Sequence, residues 1–173
     1  MILNSFSKLK WWQIALAALV VSAIGGLASL QSSKDDKALY LNKLKQAPWA
    51  PPSWVFGPAW TINNFFLLLA LQHLAIYYTT ERRKLLILQS FIWAIYFSFG
   101  FIYFNKKSPI LAATWTISDA IFAIMSYHLA NKSCKKLAAY FLPLVAWTLF
   151  ASSLALYQAV NNEDPLINRR SSY

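Results

Sequence analysis

Five long apolar stretches free of Lys and Arg constrain this chain more than any other feature. They run over residues 11–30, 54–78, 85–104, 110–130 and 137–160. Asp119 is the only carboxylate within them. At 1.5 Å per residue, about 20 residues in a helix cross ~30 Å of hydrocarbon. A membrane forces such segments to satisfy their backbone groups internally, and helices do that. The expected fold is all-α: an integral membrane bundle of five transmembrane helices forming a single domain over residues 1–173. The short connections leave no room for a soluble domain.

Composition agrees. Hydrophobic residues make up 58% of the chain and charged residues 13%, against about a quarter charged in soluble domains. The net charge of +10 does not indicate nucleic acid, because the Lys and Arg residues form short clusters beside apolar spans rather than a stripe. They suit loops held at anionic headgroups, so the lipid bilayer is the first expected partner. The single cysteine, Cys134, allows no intramolecular disulfide, and His73 and His128 lack a metal-ligand spacing. No metal site and no required cofactor is expected.

The first stretch begins after Lys8 and Lys10 and ends in small residues, as a secretory signal does. Its apolar run exceeds the usual signal core, and Ala28-Ser29-Leu30 is only a fair cleavage site, so it reads as a retained helix. Gly25-Gly26 would let another backbone approach closely. Three connections, 79–84, 105–109 and 131–136, are tight turns and imply antiparallel neighbours. Residues 31–53 are the one long loop, and the tail 161–173 reads as short, polar and disordered. Lys and Arg tie at eight on each side, which leaves the orientation open.

The densest signal is APWAPPSWVFGPAWT, residues 47–61. Pro51 and Pro52 suit a helix N-terminus. Trp49 and Trp54 suit an interfacial aromatic belt, whereas Trp60 lies too deep for one. Phe56, Trp60 and Asn64 share a helix face at i, i+4 spacing. Asn63 and Asn64 need partners inside a span, either as interhelical glue or as ligand contacts. On the third span Gln89, Trp93 and Tyr96 share a face, and on the fifth Trp147, Ala151 and Leu154 do. Polar groups on membrane helices turn inward. These faces therefore converge on an aromatic interior with a few amides, suited to a flat apolar ligand or to plain packing. Asp119 has no cation in any span. It is expected to make a structural hydrogen bond or, alternatively, to serve as an intramembrane proton site.

The passage Trp49, Pro51, Pro52, Trp54, Phe56, Gly57, Pro58, Trp60 resembles the hallmark of the TspO/MBR family, the tryptophan-rich sensory proteins that include the mitochondrial translocator protein. The resemblance covers nearly the whole chain. Leu44, Gln89, the Ser108-Pro109 to Pro143 spacing, and Trp147, Phe150, Ala151 and Leu154 also look like family positions. It implies a five-helix bundle, often a homodimer, with residues 31–53 acting as a lid over a pocket for porphyrin or haem-like tetrapyrroles and other hydrophobic molecules. Spacing and resemblance together give the expected ligand-binding set: Trp49, Phe56, Trp60, Asn64, Gln89, Trp93, Trp147, Ala151 and Leu154. The expected function is a membrane receptor or carrier. The alternatives are photo-oxidative porphyrin degradation, with Trp60 and Trp147 implicated, and proton-coupled transport through Asp119. Several polar positions depart from the family pattern: Asn64 replaces a tyrosine, Trp93 and Tyr96 replace an asparagine and a tryptophan, and Leu144, Ala155 and Thr114 replace polar or acidic residues. No Lys or Arg follows Tyr157 within five residues, so the weak sterol motif is absent.

Overall fold

The computed structural model describes residues 8–27 and 43–167. Its regular elements are helices: α1 (Trp11–Leu27), α2 (Phe56–Ile76), α3 (Arg82–Gly100), α4 (Pro109–Ser133), the short α5 (Lys135–Ala139) and α6 (Leu142–Asn161). A 3-10 turn, Ser53–Val55, leads into α2, and a π turn, Phe101–Asn105, extends α3. Four apolar rods are long enough to cross a membrane: Ser53–Ile76, Arg82–Asn105, Pro109–Ser133 and Lys135–Asn161. The shorter apolar α1 completes the five-helix membrane bundle. Residues 28–30 of the first expected span and residues 31–42 of the loop lie outside the described residues.

Local chemistry sets the helix ends. Pro58 falls in the first turn of α2, where its missing N–H removes no intrahelical bond. Ser108 caps α4, its Oγ accepting from Leu111 N at 3.1 Å, with Pro109 following as the first helical residue. The fifth span was expected to be one helix over 137–160. It is broken at Tyr140 and Phe141 instead. Pro143 lies one residue into α6. A proline has no N–H to give to the carbonyl four residues back, here that of Ala139, and its ring crowds that carbonyl.

The helices close a ring in the order α1, α2, α6, α4, α3 and back to α1. The tight turns had implied that sequential spans are neighbours. That holds for α3 with α4 and for α4 with α6. By contrast, α2 and α3 meet only sparsely, because the chain leaves α2 at Tyr77 in extended conformation and reaches across the ring. The most extensive contact is between α4 and α6. Ala113 of α4 clusters there with Ala155 and Ala159 of α6, and most of the other buried residues on the two helices are small as well. Small side chains let two backbones approach where lipid supplies no hydrophobic drive.

The two ends of the bundle are built differently. Leu67, Leu74, Leu85, Ile92, Leu137 and Phe141, all fully buried, form an apolar plug that reaches from the middle of α2 and α3 to the 77–81 and 134–141 connections. The opposite end, where α2 begins and α6 ends, carries polar side chains. There the expected disordered tail is ordered as far as residue 167, with 168–173 outside the described residues. Asp164 is buried. Its Oδ2 accepts from Ser108 Oγ at 2.5 Å and Ile110 N at 3.0 Å, and its Oδ1 accepts from Leu166 N and Ile167 N. The tail is thus fixed to the first turn of α4 by a carboxylate at a helix N-terminus, where negative charge is favoured.

Candidate functional site

Several of the residues singled out by spacing contact one another where α2 faces α6 and α3. On α2, Phe56 sets its ring edge-on to Trp147 of α6, with centroids 5.4 Å apart. One turn deeper, Trp60 lies against Tyr96 of α3 at 4.7 Å. Trp60 and Trp93 both pack on the plug. Ala151 is half-buried on α6, and Leu154 beyond it is buried. Ring pairs thus line the interior between α2 and α6 and between α2 and α3, on helix faces that the i, i+4 and i, i+7 spacings picked out.

The polar groups in this interior are only partly satisfied. Asn64 Nδ2 donates to Ser22 Oγ at 3.1 Å, tying α2 to α1, while its Oδ1 is buried without a partner. Gln89 Nε2 donates to Leu67 O at 2.6 Å, joining α3 to α2 across the ring, and its Oε1 is also unpartnered. The indole N–H groups of Trp93 and Trp147 and the Nδ2 of Asn63 are in the same state. Interhelical glue therefore accounts for half of each bonded amide. The remainder is a set of three donors and two acceptors facing buried surroundings, and buried polar groups are ordinarily paired.

Trp49 stands apart from this set. It is about half exposed. Its Nε1 donates to Ser153 Oγ at 3.2 Å, and its ring meets Tyr157 edge-on at 5.4 Å. It is a strut between the loop and the outer part of α6. Further contacts fasten the same loop. Lys45 N donates to Asn162 Oδ1 at 2.7 Å, and Asn162 Nδ2 returns a bond to Lys45 O at 3.1 Å. Gln158 Nε2 donates to Gln46 Oε1 at 2.6 Å, and Tyr103 OH donates to Gln158 Oε1 at 3.0 Å. Trp54, 73% exposed, projects outward as a belt residue would.

Asp119 is also apart. It is 2% exposed on α4, and its Oδ1 has no partner. Ala113 clusters with Ala155 and Ala159, and this antiparallel register puts Asp119 level with Thr148 to Ser152 of α6. Trp115, one turn earlier, donates its Nε1 to Ser98 Oγ of α3 at 2.9 Å.

Spacing did not reveal the role of Gly25. A Cβ at this position would collide with the Tyr96 ring. Gly25 therefore admits a side chain, not the neighbouring backbone that the Gly-Gly pair suggested, and Gly26 faces open space. The Tyr96 hydroxyl donates to Ser22 O at 3.3 Å, on the same side of α1.

These features define a class: a multi-pass helical membrane protein with an aromatic, partly unsatisfied interior beneath a tethered Pro/Trp segment. The chain belongs to the TspO/MBR family, whose model matches residues 14–160. It is 27% identical over 153 residues to the tryptophan-rich protein TspO of Archaeoglobus fulgidus, covering 82% of this chain and 92% of that protein.

Proposed function

We propose that this protein is a membrane receptor or carrier for a flat hydrophobic ligand of tetrapyrrole type, held in the interior between α2, α3 and α6. One observation carries the reading. The Trp147 indole N–H is buried without a partner while its ring packs on Phe56, at the end of α2 that adjoins the tethered loop. A flat ligand with polar edges would engage this donor, with Gln89 Oε1 and Asn64 Oδ1 as acceptors, and would stack on the rings of Trp60 and Trp93. Aromatic faces supply most of the contact, and the few polar atoms set orientation. Trp49 would contribute by holding the loop closed, and Ala151 and Leu154 by shaping the α6 wall.

The test is titration of the purified protein with protoporphyrin while Trp fluorescence is followed. Saturable quenching is expected, weakened at least tenfold in Trp60→Ala or Trp147→Ala, as loss of one aromatic contact in a buried site implies. Quenching that neither substitution alters would overturn the site.

A proton-coupled carrier is a second reading, favoured by the unpartnered carboxyl oxygen of Asp119 on α4. Its test is ligand uptake into vesicles with and without an imposed pH gradient. Asp119→Asn should abolish the response to the gradient. Uptake by that variant that still follows the gradient would eliminate this reading.

A further inference from the structure

The plug end of the bundle carries a feature unconnected with the aromatic interior. A groove open to the surroundings runs along the start of α3, lined by Thr80, Arg82, Arg83, Leu86, Ile87 and Ser90, with Tyr78 at its rim. Arg83, Leu86, Ile87 and Ser90 fall on one helix face at i, i+3, i+4 and i+7. The polar end of the groove therefore stands where the span begins, and its wall turns apolar within about 10 Å of depth, seven residues at 1.5 Å each. Tyr78 is 86% exposed, as an interfacial anchor is. A second groove, on the other side of residues 78–80, is bordered by Lys132.

Charge singles out this end. Lys8, Lys10, the 82–84 trio, Lys132, Lys135 and Lys136 give it eight cations against one carboxylate, Glu81. Among the described residues the opposite end carries four cations, Lys43, Lys45, Lys106 and Lys107, against two carboxylates, Glu163 and Asp164. Glu81 is taken by Lys84, whose Nζ lies 2.9 Å from its Oε2, the one ion pair among the described residues. Arg82 and Arg83 are therefore left without a carboxylate of their own. Ser90 returns its hydroxyl to Leu86 O at 2.9 Å, so the lower wall presents mainly carbon.

We propose that this groove is a binding site for a single anionic phospholipid, its phosphate on Arg82 and Arg83 and one acyl chain along Leu86 and Ile87. Guanidinium groups match phosphate oxygens bidentately, and the Thr80 hydroxyl adds a donor beside them. A diffuse basic surface would attract anionic lipid without stoichiometry, whereas a groove with an apolar wall selects one molecule.

Native mass spectrometry of the full chain in detergent, with phosphatidylglycerol or phosphatidylcholine added, reads this directly. One tightly retained phosphatidylglycerol is expected, with phosphatidylcholine retained far less. R82Q/R83Q should weaken retention about thirtyfold, two cations at the surface being removed. The control K106Q/K107Q, which removes two cations from the opposite end, should leave retention unchanged. R83Q alone should give an intermediate loss and serves if the double variant is poorly produced. Equal retention of the two lipids would overturn the proposal. So would equal loss in the two double variants, or displacement of the lipid by millimolar inorganic phosphate, which would mark a plain anion site.

Discussion

The ring of Tyr96 fills the space that a side chain on residue 25 would need. This relationship joins α3 to α1, and the same ring lies 4.7 Å from Trp60 of α2. Gly25→Ala should therefore displace Tyr96 and lower the stability of the bundle by about 1–3 kcal/mol, the usual range for overpacking. The check is a double-mutant cycle by thermal unfolding in detergent. In a Tyr96→Ala background the same substitution should cost little, because the colliding ring is gone.

Asn162 holds Lys45 at both its N–H and its carbonyl, as a paired strand would. Asn162→Ala removes both of these bonds, each contributing about 1 kcal/mol, together with a third from its Nδ2 to Gln158 O at 2.9 Å. Amide exchange over residues 43–50 should then quicken by about tenfold or more, while exchange in the plug residues Leu74 and Leu137 stays unchanged. An unaltered rate in the loop would mean that the Trp49–Ser153 and Gln46–Gln158 contacts suffice to hold it.

Asp164 predicts a dependence on acid. Burial alone would raise its pKa, but the Ser108 hydroxyl and the N–H groups of Ile110, Leu166 and Ile167 outweigh burial and hold it below the ordinary 3.8. A carboxylate with a depressed pKa in the folded state adds stability that is fully present above its unfolded value. That stability is lost as pH falls below 3.8 through the folded value. Thermal midpoints should be level from neutral pH to about pH 5 and then fall. Asp164→Asn should be less stable at neutral pH and should fall less steeply in acid, so that the two curves converge.

The α4–α6 contact predicts a contrast between its two faces. Ala155 is buried against Ala113, whereas Leu156 is about half exposed on the outer side. Ala155→Leu should destabilise by about 1–3 kcal/mol, and Leu156→Ala much less, as measured by thermal unfolding in detergent.

The five spans could be read from hydropathy because the bilayer punishes charge within about 20 consecutive residues, a local signal. The pairings of Trp60 with Tyr96 and of Trp147 with Phe56 lie on faces that helical period picks out. Distant pairings could not be read this way. Ser108 and Asp164 are 56 residues apart, and Lys45 and Asn162 are 117 apart. Nothing in either segment announces its partner, so the tail looked disordered. The break before Pro143 was visible in principle, since proline interrupts the bonding of any helix interior, but an unbroken run of apolar residues concealed it. Gly25 was noticed for its size. Its partner was not, because a missing Cβ does not say whether backbone or side chain fills the gap.

The plug and the polar end give the two halves of the bundle different clocks. Leu67, Leu85 and Phe141 are fully buried in one apolar cluster, so their amides are expected to exchange only on global unfolding. At the other end the described loop residues are held by a few hydrogen bonds and the Trp49–Tyr157 ring contact, and opening there is expected to be local. Opening is therefore expected to start from the polar end. A ligand of the proposed site would then arrive on the faster of those two timescales.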